Sequence, residues 1–380
     1  MGWVTEGISM CPVEKIDDVV ESIEDYHPGG YHPVHLNDVF NRRYEVVGKL
    51  AFGQTSTVWL AWDRRLEQQV ALKIVKAAAS KDNKELEILR HLSDPGLEHM
   101  GKRHVVKLLD YFEHHGPNGT HLCLVFPVLI SDGKEMVLAG KPCQISSVQA
   151  IAKQILLGLD FLHSQSIIHC DLKPANIMFV LEGVASCDGF INPPRFVSVE
   201  PSNGLRRDRS VPEYLMASQR GQVTFEDVDP ANLLVQLGDL GGAAWCDQCP
   251  QRPVTLIPLR APELIQRTTW DWRIDIWTLG CLIYELATNE QLFPVSDLGT
   301  SEQIDREHGM LVDNMMGRSP QMFEAFAFFL RERLRSNWGP MDVQQDPASF
   351  LCSMLQRDPQ ARKSTTELLQ HPWMTEGTAW

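Results

Sequence analysis

Five short segments constrain this chain more than any bulk property does. In order they are Ala51-Phe52-Gly53-Gln54-Thr55-Ser56-Thr57-Val58, Val70-Ala71-Leu72-Lys73, His169-Cys170-Asp171-Leu172-Lys173-Pro174-Ala175-Asn176, Asp239-Leu240-Gly241 and Ala261-Pro262-Glu263. Each alone is a weak signal; the set in this order is a specific one. Together they supply a turn beside a strand, an amine, a carboxylate and an amide close together on one loop, and a second carboxylate. Lys73 offers an ammonium to phosphate oxygens, provided a carboxylate fixes its stem. Glu85 is the partner expected, because Ile88, Leu89 and Leu92 follow at helical spacing and turn Glu85, rather than Glu87, toward the sheet. Asp171 suits acceptance or orientation of a hydroxyl proton, and Lys173 suits a phosphate in transfer. Asn176 and Asp239 provide the hard oxygen ligands that magnesium takes.

Composition narrows the class further. The 380 residues allow two lobes with separate cores, and 43% hydrophobic with 22% charged residues is ordinary for a globular protein. The longest apolar run, Leu122 to Ile130, contains Pro127 and falls far short of the roughly 20 residues of a membrane span. The opening Met1-Gly2-Trp3-Val4-Thr5-Glu6 carries no hydrophobic signal and has Glu6 where a myristoylation signal takes Ser or Thr. A chain without a membrane partner is expected. The formal charge of −14 disfavours direct nucleic-acid binding and suits basic protein substrates. Nine cysteines, with Cys246-Asp247-Gln248-Cys249 lacking a second pair nearby, predict reduced thiols.

Residues 1–43 are polar and turn-rich and predict an N-terminal extension. Residues 44–129 are expected as an N-lobe with its hinge, 130–374 as a C-lobe, and 375–380 as a tail. Arg43–Val47, Thr57–Trp62, Val70–Val75, His104–Phe112 and His121–Val128 predict strands, and Asn83–Leu92 a helix with Leu86 and Leu89 inward, joined in part by His91. From about 146 the pattern turns helical: Ser146 and Gln149 read as a capping box, and Val148, Ile151, Ile155, Leu159 and Leu162 form a stripe. Ile274–Leu286 is apolar nearly all round and predicts a central buried helix. The fold class is α+β, in two lobes with a cleft between: a small antiparallel β-sheet plus one helix, then a mainly α-helical lobe. Residues 181–232 read as an insertion, partly mobile, between the strands Ile177–Val180 and Leu233–Leu237. Within it, Arg206-Arg207-Asp208-Arg209-Ser210 reads as a solvated charge run or a self-phosphorylated basic-serine motif.

The five segments resemble those of eukaryotic protein kinases, which use this inventory to hold ATP, magnesium and a hydroxyl in line. Gly30-Tyr31-His32-Pro33-Val34, Phe40-Asn41-Arg42-Arg43-Tyr44, Ser56-Thr57-Val58-Trp59-Leu60, Trp245 and Asp275-Ile276-Trp277 narrow the resemblance to the SR-protein kinases of the CMGC group, in a short fungal-type form. The resemblance implies ATP and magnesium as cofactors, serine phosphorylation in Arg/Ser-rich proteins, residence in cytoplasm and nucleus, and a monomer. It implies catalytic roles for Asp171, Lys173, Lys73 and Glu85 and metal binding by Asn176 and Asp239. Nucleotide contacts are implied for Leu50, Ala51, Phe52, Gly53, Gln54, Thr55, Ser56, Val58, Ala71, Lys73, Phe126, Pro127 and Leu129. Glu263, Asp275 and Arg362 are implied as supports, and Asp305 and Glu307 as acidic docking residues. Four departures bear on rate and regulation. Ala51 and Ser56 replace loop glycines. Cys170 stands where many kinases have an arginine, which predicts activity without loop phosphorylation. Leu256 stands where a kinase usually has a threonine, with Thr255 one position off. A binding-only pseudokinase and a small-molecule kinase are the competing readings.

Overall fold

The computed structural model describes residues 20–129, 131–133, 140–181, 191–199, 209–219, 233–296, 298–339 and 346–375. The chain forms two compact units. The first draws on residues within 1–82, 110–125 and 191–220, the second on residues within 83–109, 126–190 and 221–380.

The first unit is a six-stranded sheet of β1 (Val39–Phe40), β2 (Tyr44–Gly53), β3 (Ser56–Asp63), β4 (Gln68–Val75), β5 (Asp110–Gly116) and β6 (Gly119–Pro127), in the order β1-β2-β3-β4-β6-β5. Pairings β1/β2, β2/β3, β3/β4 and β5/β6 are antiparallel. Alternation sends Tyr44, Val46, Trp59, Ala61, Val70, Leu72 and Ile74 into one core with Cys123 and Val125. The β2/β3 register shifts twice, between Val46 and Gly48 and between Lys49 and Ala51, so β2 bends before its turn.

Two expected boundaries move. The sheet begins inside the predicted N-terminal extension, at β1. The described part of the 181–232 insertion belongs to the first unit rather than to the helical lobe. Residues Phe196–Ser198 and Tyr214–Met216 pair as an antiparallel hairpin. Leu215 and Ala217 then pack with Val20, Tyr26 and Tyr31 of the N-terminal segment. Gln219 closes the seam: its side-chain oxygen accepts from the Lys49 N–H at 3.0 Å, and its own N–H donates to the Lys49 carbonyl at 2.8 Å. A Cβ on Gly48 would lie 2.5 Å from that Gln219 oxygen, so a side chain there would displace the Gln219 amide from the seam. Beneath the seam the buried Lys49 ammonium pairs with the buried Glu21 carboxylate, which also accepts from the Tyr26 hydroxyl. Arg206, Arg207 and Asp208 of the basic-serine motif lie outside the described residues. Ser210 is buried, its carbonyl accepting from Asn118, so it is not presented as an exposed substrate serine.

The second unit is mainly helical. Helix Arg273–Thr288 is buried along almost its whole length, as its nearly all-round apolar character predicts. Helix Ile145–Ser164 buries Val148, Ile151, Ile155, Leu159 and Leu162. Its predicted Ser146–Gln149 capping box does not form: the N-cap is Gln144, without a side-chain bond, and the Gln149 amide donates to the Trp373 carbonyl instead. A capping box does form near the C-terminus, between Ser364 and Glu367. Helix Lys84–Leu92 buries Glu85, Ile88, Leu89 and Leu92 and leaves Glu87 and His91 exposed, so His91 does not turn inward. The stretch expected as a strand from His104 starts as a 3₁₀ turn, Met100–His104, and strand order resumes only at Asp110. Ile177–Leu181 pairs antiparallel with Leu233–Leu237, so the two ends of the insertion are tied by a ladder.

One buried cluster of the first unit makes folding acid-sensitive. The His32 ring lies 4.5 Å from that of His114 and 5.0 Å from that of His121, beside Phe40. Burial, then the neighbouring rings of His114 and His121, pushes His32 down to about 3; Asp38 opposes this weakly and His35 adds to it. Unfolding therefore takes up protons below the ordinary histidine range near 6.5, and stability is present above that pH and lost as pH falls toward 3. Urea denaturation should show unfolding free energy falling between pH 7 and pH 4, by up to about 1.4 kcal/mol per pH unit for each fully engaged histidine. A His32→Leu variant should show a shallower slope by about one proton; an unchanged slope would refute the assignment.

Candidate active site

The loop that carries Asp171 is held from below by one carboxylate. Asp275, in the first turn of the buried helix, accepts the His169 N–H at 2.8 Å and the Cys170 N–H at 3.0 Å, and lies 2.9 Å from the His163 ring nitrogen. Cys170 takes a left-handed φ of 64°, a conformation non-glycine residues adopt only when surroundings enforce it. The His169 ring links the loop to the segment before Asp239. Its Nδ1 accepts from the Asp171 N–H at 3.3 Å, so Nε2 carries the hydrogen donated to the Gly238 carbonyl at 3.1 Å. The Gly238 N–H returns a bond to the Asn176 carbonyl at 2.9 Å.

This scaffold fixes the side chains that the sequence singles out. Lys173 Nζ donates to one Asp171 carboxylate oxygen at 2.7 Å, and Asn176 Nδ2 lies 3.1 Å from the same atom and 2.8 Å from the Asp171 carbonyl. One ammonium and one amide N–H thus converge on Asp171 Oδ2, which sets the plane of the carboxyl group. The Asn176 amide nitrogen is spent on Asp171, which leaves its oxygen for a cation. Asp239 sits at φ 53° in the left-handed region, just before the 3₁₀ turn Leu240–Gly242. A Cβ on Gly241 would stand 3.4 Å from an Asp239 carboxylate oxygen and 3.5 Å from a Glu85 one, so those two acids flank the same glycine. A Cβ on Gly242 would strike Val254 at 2.4 Å and approach Asp171 Cβ at 3.1 Å. The second unit therefore brings Glu85, Asp171, Lys173, Asn176 and Asp239 together. The donor set, two oxygens on neighbouring turns, fits a hard divalent cation such as magnesium.

In the first unit, Lys73 is buried on β4 directly opposite Val58, and Ala71 opposite Leu60. Leu50, Ala51, Phe52 and Gly53 end β2, Gln54 and Thr55 form its turn, and Ser56 faces Gly53 across it. Phe126 and Pro127 end β6, with Leu129 two residues on.

Thr255, one position off in the sequence reading, is the loop's second anchor. Thr255 Oγ donates to the Cys170 carbonyl at 2.6 Å and is buried, while Leu256 is exposed. The one-residue offset is absorbed by the local backbone, so the threonine meets the loop at the carbonyl before Asp171. The expected docking role of Asp305 does not hold. Its buried carboxylate is taken up by Arg252, Arg260 and Arg267, so it is not free for an incoming arginine, whereas Glu307 is exposed. Cys246 and Cys249 are free thiols, both pushed up by burial.

Two parallel hydrogen bonds, of 2.6 and 2.7 Å, join Arg362 to Glu263 in a buried pair. Arg362 also donates to the Gln356 and Arg273 carbonyls and lies 5.1 Å from the Trp277 ring centre.

The protein kinase domain family matches residues 44–188 and 213–374. The chain belongs to that family. Within it, the chain is similar to a Physarum polycephalum protein named serine/threonine-protein kinase SRPK, at 33% identity over 96% of this chain and 93% of the other. It is also similar to protein kinase dsk1 of Schizosaccharomyces pombe (29%, covering 98% and 87%) and to human SRSF protein kinase 3 (25%, covering 94% and 91%). The chain is thus an SR-protein-kinase-like member. A crystal structure of a kinase domain shares the fold, with a TM-score of 0.63 at 20% identity, covering 90% of this chain and 98% of that one.

Removing one side of the Glu263–Arg362 pair leaves an uncompensated buried charge. Arg362→Ala should lower stability in urea by about 3–5 kcal/mol. The double variant Glu263→Gln/Arg362→Met should lose less than the sum of its single variants; strict additivity would show that the pair is not coupled.

Proposed function

We propose that this chain transfers the γ-phosphate of ATP to serine hydroxyls of protein substrates rich in Arg and Ser, in cytoplasm and nucleus. The observation that carries the reading is the Asp171 carboxylate, oriented by Lys173 and Asn176 on a loop that Asp275 holds from beneath. In the transfer, the serine oxygen forms a bond to the γ-phosphorus as the bridging bond to ADP breaks, and the hydroxyl proton passes to Asp171. Lys173 meets the charge that develops on the moving phosphoryl group. Lys73 serves the other phosphates, and Ala71 supplies the small side chain that an adenine ring lies against. Asn176 and Asp239 would hold magnesium, which, when bound, offsets phosphate charge. Glu85 lies beside the same turn as Asp239.

Substrate class rests on two supports. The formal charge of −14 favours basic partners in general, and the relatives' names refer to SR-type substrates. With Asp305 consumed by three arginines, recognition of Arg/Ser sequences falls to other acidic groups, Glu307 among them. Thr255, rather than an arginine at position 170, ties down the catalytic loop, which favours activity without a phosphorylated activation segment.

The test is phosphate incorporation into an Arg/Ser peptide with Mg-ATP. Asp171→Asn should cut incorporation by about 10²–10⁴-fold with nucleotide affinity within about twofold of the parent. Nucleotide binding without transfer to any protein substrate by the parent chain would leave only the binding reading standing. Equal rates on Arg/Ser and Gln/Ser peptides would remove the substrate class while sparing the activity.

A further inference from the structure

The turn between β2 and β3 is exposed at its tip, at Gly53, Gln54 and Thr55, yet its backbone is tied from two sides. The Tyr31 hydroxyl donates to the Gly53 carbonyl. The Lys76 N–H donates to the Thr55 carbonyl at 2.8 Å. The two anchors are themselves joined. Lys76 Nζ lies 4.2 Å from the centre of the Tyr31 ring and 3.1 Å from the Asp25 carboxylate. The N–H groups of Ala77 and Ala78 donate to the carbonyls of Gly30 and Gly29, at 3.1 and 2.8 Å. The Tyr31 N–H donates to the Asp25 carbonyl at 2.9 Å, and its ring packs against Tyr26.

Tyr31 is therefore a rigid, buried post whose single polar atom reaches the carbonyl at the start of the turn. Gly53 has no neighbour within 4 Å of the position its Cβ would take, so side-chain packing does not hold it. Burial raises the pKa of the Tyr31 hydroxyl well above the ordinary phenol range, so the O–H remains a donor throughout the neutral range.

We infer that Tyr31, through its hydroxyl, is a positioning residue that latches the phosphate-facing turn of β2 and β3 in one conformation. The inference rests on the functional reading above, because it is that reading which sets nucleotide phosphates against this turn. In this chain the N-terminal segment thus orders the turn through a side-chain bond. With Ala51 and Ser56 already narrowing backbone freedom, the latch makes the turn ordered before nucleotide arrives and slow to release it afterwards.

The decisive variant is Tyr31→Phe in the full chain, which keeps the ring against Tyr26 and Lys76 and deletes only the hydroxyl. Three readings are taken: hydrogen exchange at the amides of residues 52–56, dissociation of a fluorescent ADP analogue, and KM for ATP against kcat. One neutral hydrogen bond lost should speed exchange and dissociation, and raise KM, by about 3- to 10-fold with kcat within about twofold. Exchange in helix Arg273–Thr288 should stay at the parent rate, separating a local loosening from a loss of fold. Unchanged exchange at 52–56 and unchanged dissociation would overturn the latch, as would a uniform rise in exchange across the chain. A parent that binds no nucleotide would overturn the functional reading and the positioning role with it, while exchange at 52–56 would still decide whether the hydroxyl orders the turn.

Discussion

A single buried carboxylate, that of Asp275, holds the arrangement on which the chemistry depends. It belongs to the first turn of a helix buried along almost its whole length and takes two consecutive backbone N–H groups of the loop that carries Asp171. A loop backbone so close to the core would otherwise leave those donors unsatisfied, at a cost of about 1–3 kcal/mol each. The geometry is directional. Two adjacent N–H groups point at one carboxylate, and immediately after them Cys170 turns the chain in the left-handed region. Asp171 then projects with its carboxyl plane set by Lys173 and Asn176. The helix is rigid because it is packed on every side, and that rigidity passes to the loop through two short bonds.

The second theme is buried charge used as a fastener. Glu263 with Arg362, and Glu21 with Lys49, are ion pairs removed from water in different units. Such pairs contribute little net stability, since desolvation offsets most of their attraction; their effect is to penalise every arrangement in which one partner lacks the other. The first fixes the segment after Ala261, with Trp277 beneath the guanidinium. The second fixes the N-terminal segment on β2, with the Phe52 and Trp59 rings beside the ammonium at 5.6 and 5.2 Å. Asp305 belongs to the same class. Three arginines gather on it, and what reads in sequence as an acid open to partners is the centre of a closed cluster.

The insertion carries a similar lesson. Its text is polar and aperiodic, and among its described residues Phe196–Ser198 and Tyr214–Met216 form three-residue strands. Runs that short are indistinguishable from chance by pattern alone. What orders them is burial of Leu215 and Ala217 against Tyr26 and Tyr31, residues nearly two hundred positions earlier, and the seating of Gln219 over Gly48. The displaced threonine shows the same limit on a smaller scale. Position 255 and position 256 differ by one register step, and backbone torsions, which the spacing of motifs does not encode, decide which of them meets Cys170.

Sequence by itself determined the chemical inventory and much of the architecture: the amine on β4, the carboxylate and amide of the catalytic loop, the acid at 239, the burial of Glu85 rather than Glu87, and the central helix. These were legible because each follows from local rules, either helical and strand periodicity or the residue types that phosphate and magnesium demand. Only the tertiary structure decided which polar groups are available. The reassignment of Asp305 and Thr255, the docking of the insertion on the first unit and the bond from Tyr31 to Gly53 all depend on partners far away in the chain. Hydrogen bonds and ion pairs are satisfied in space, and a residue's partners there leave no mark on its neighbours in sequence.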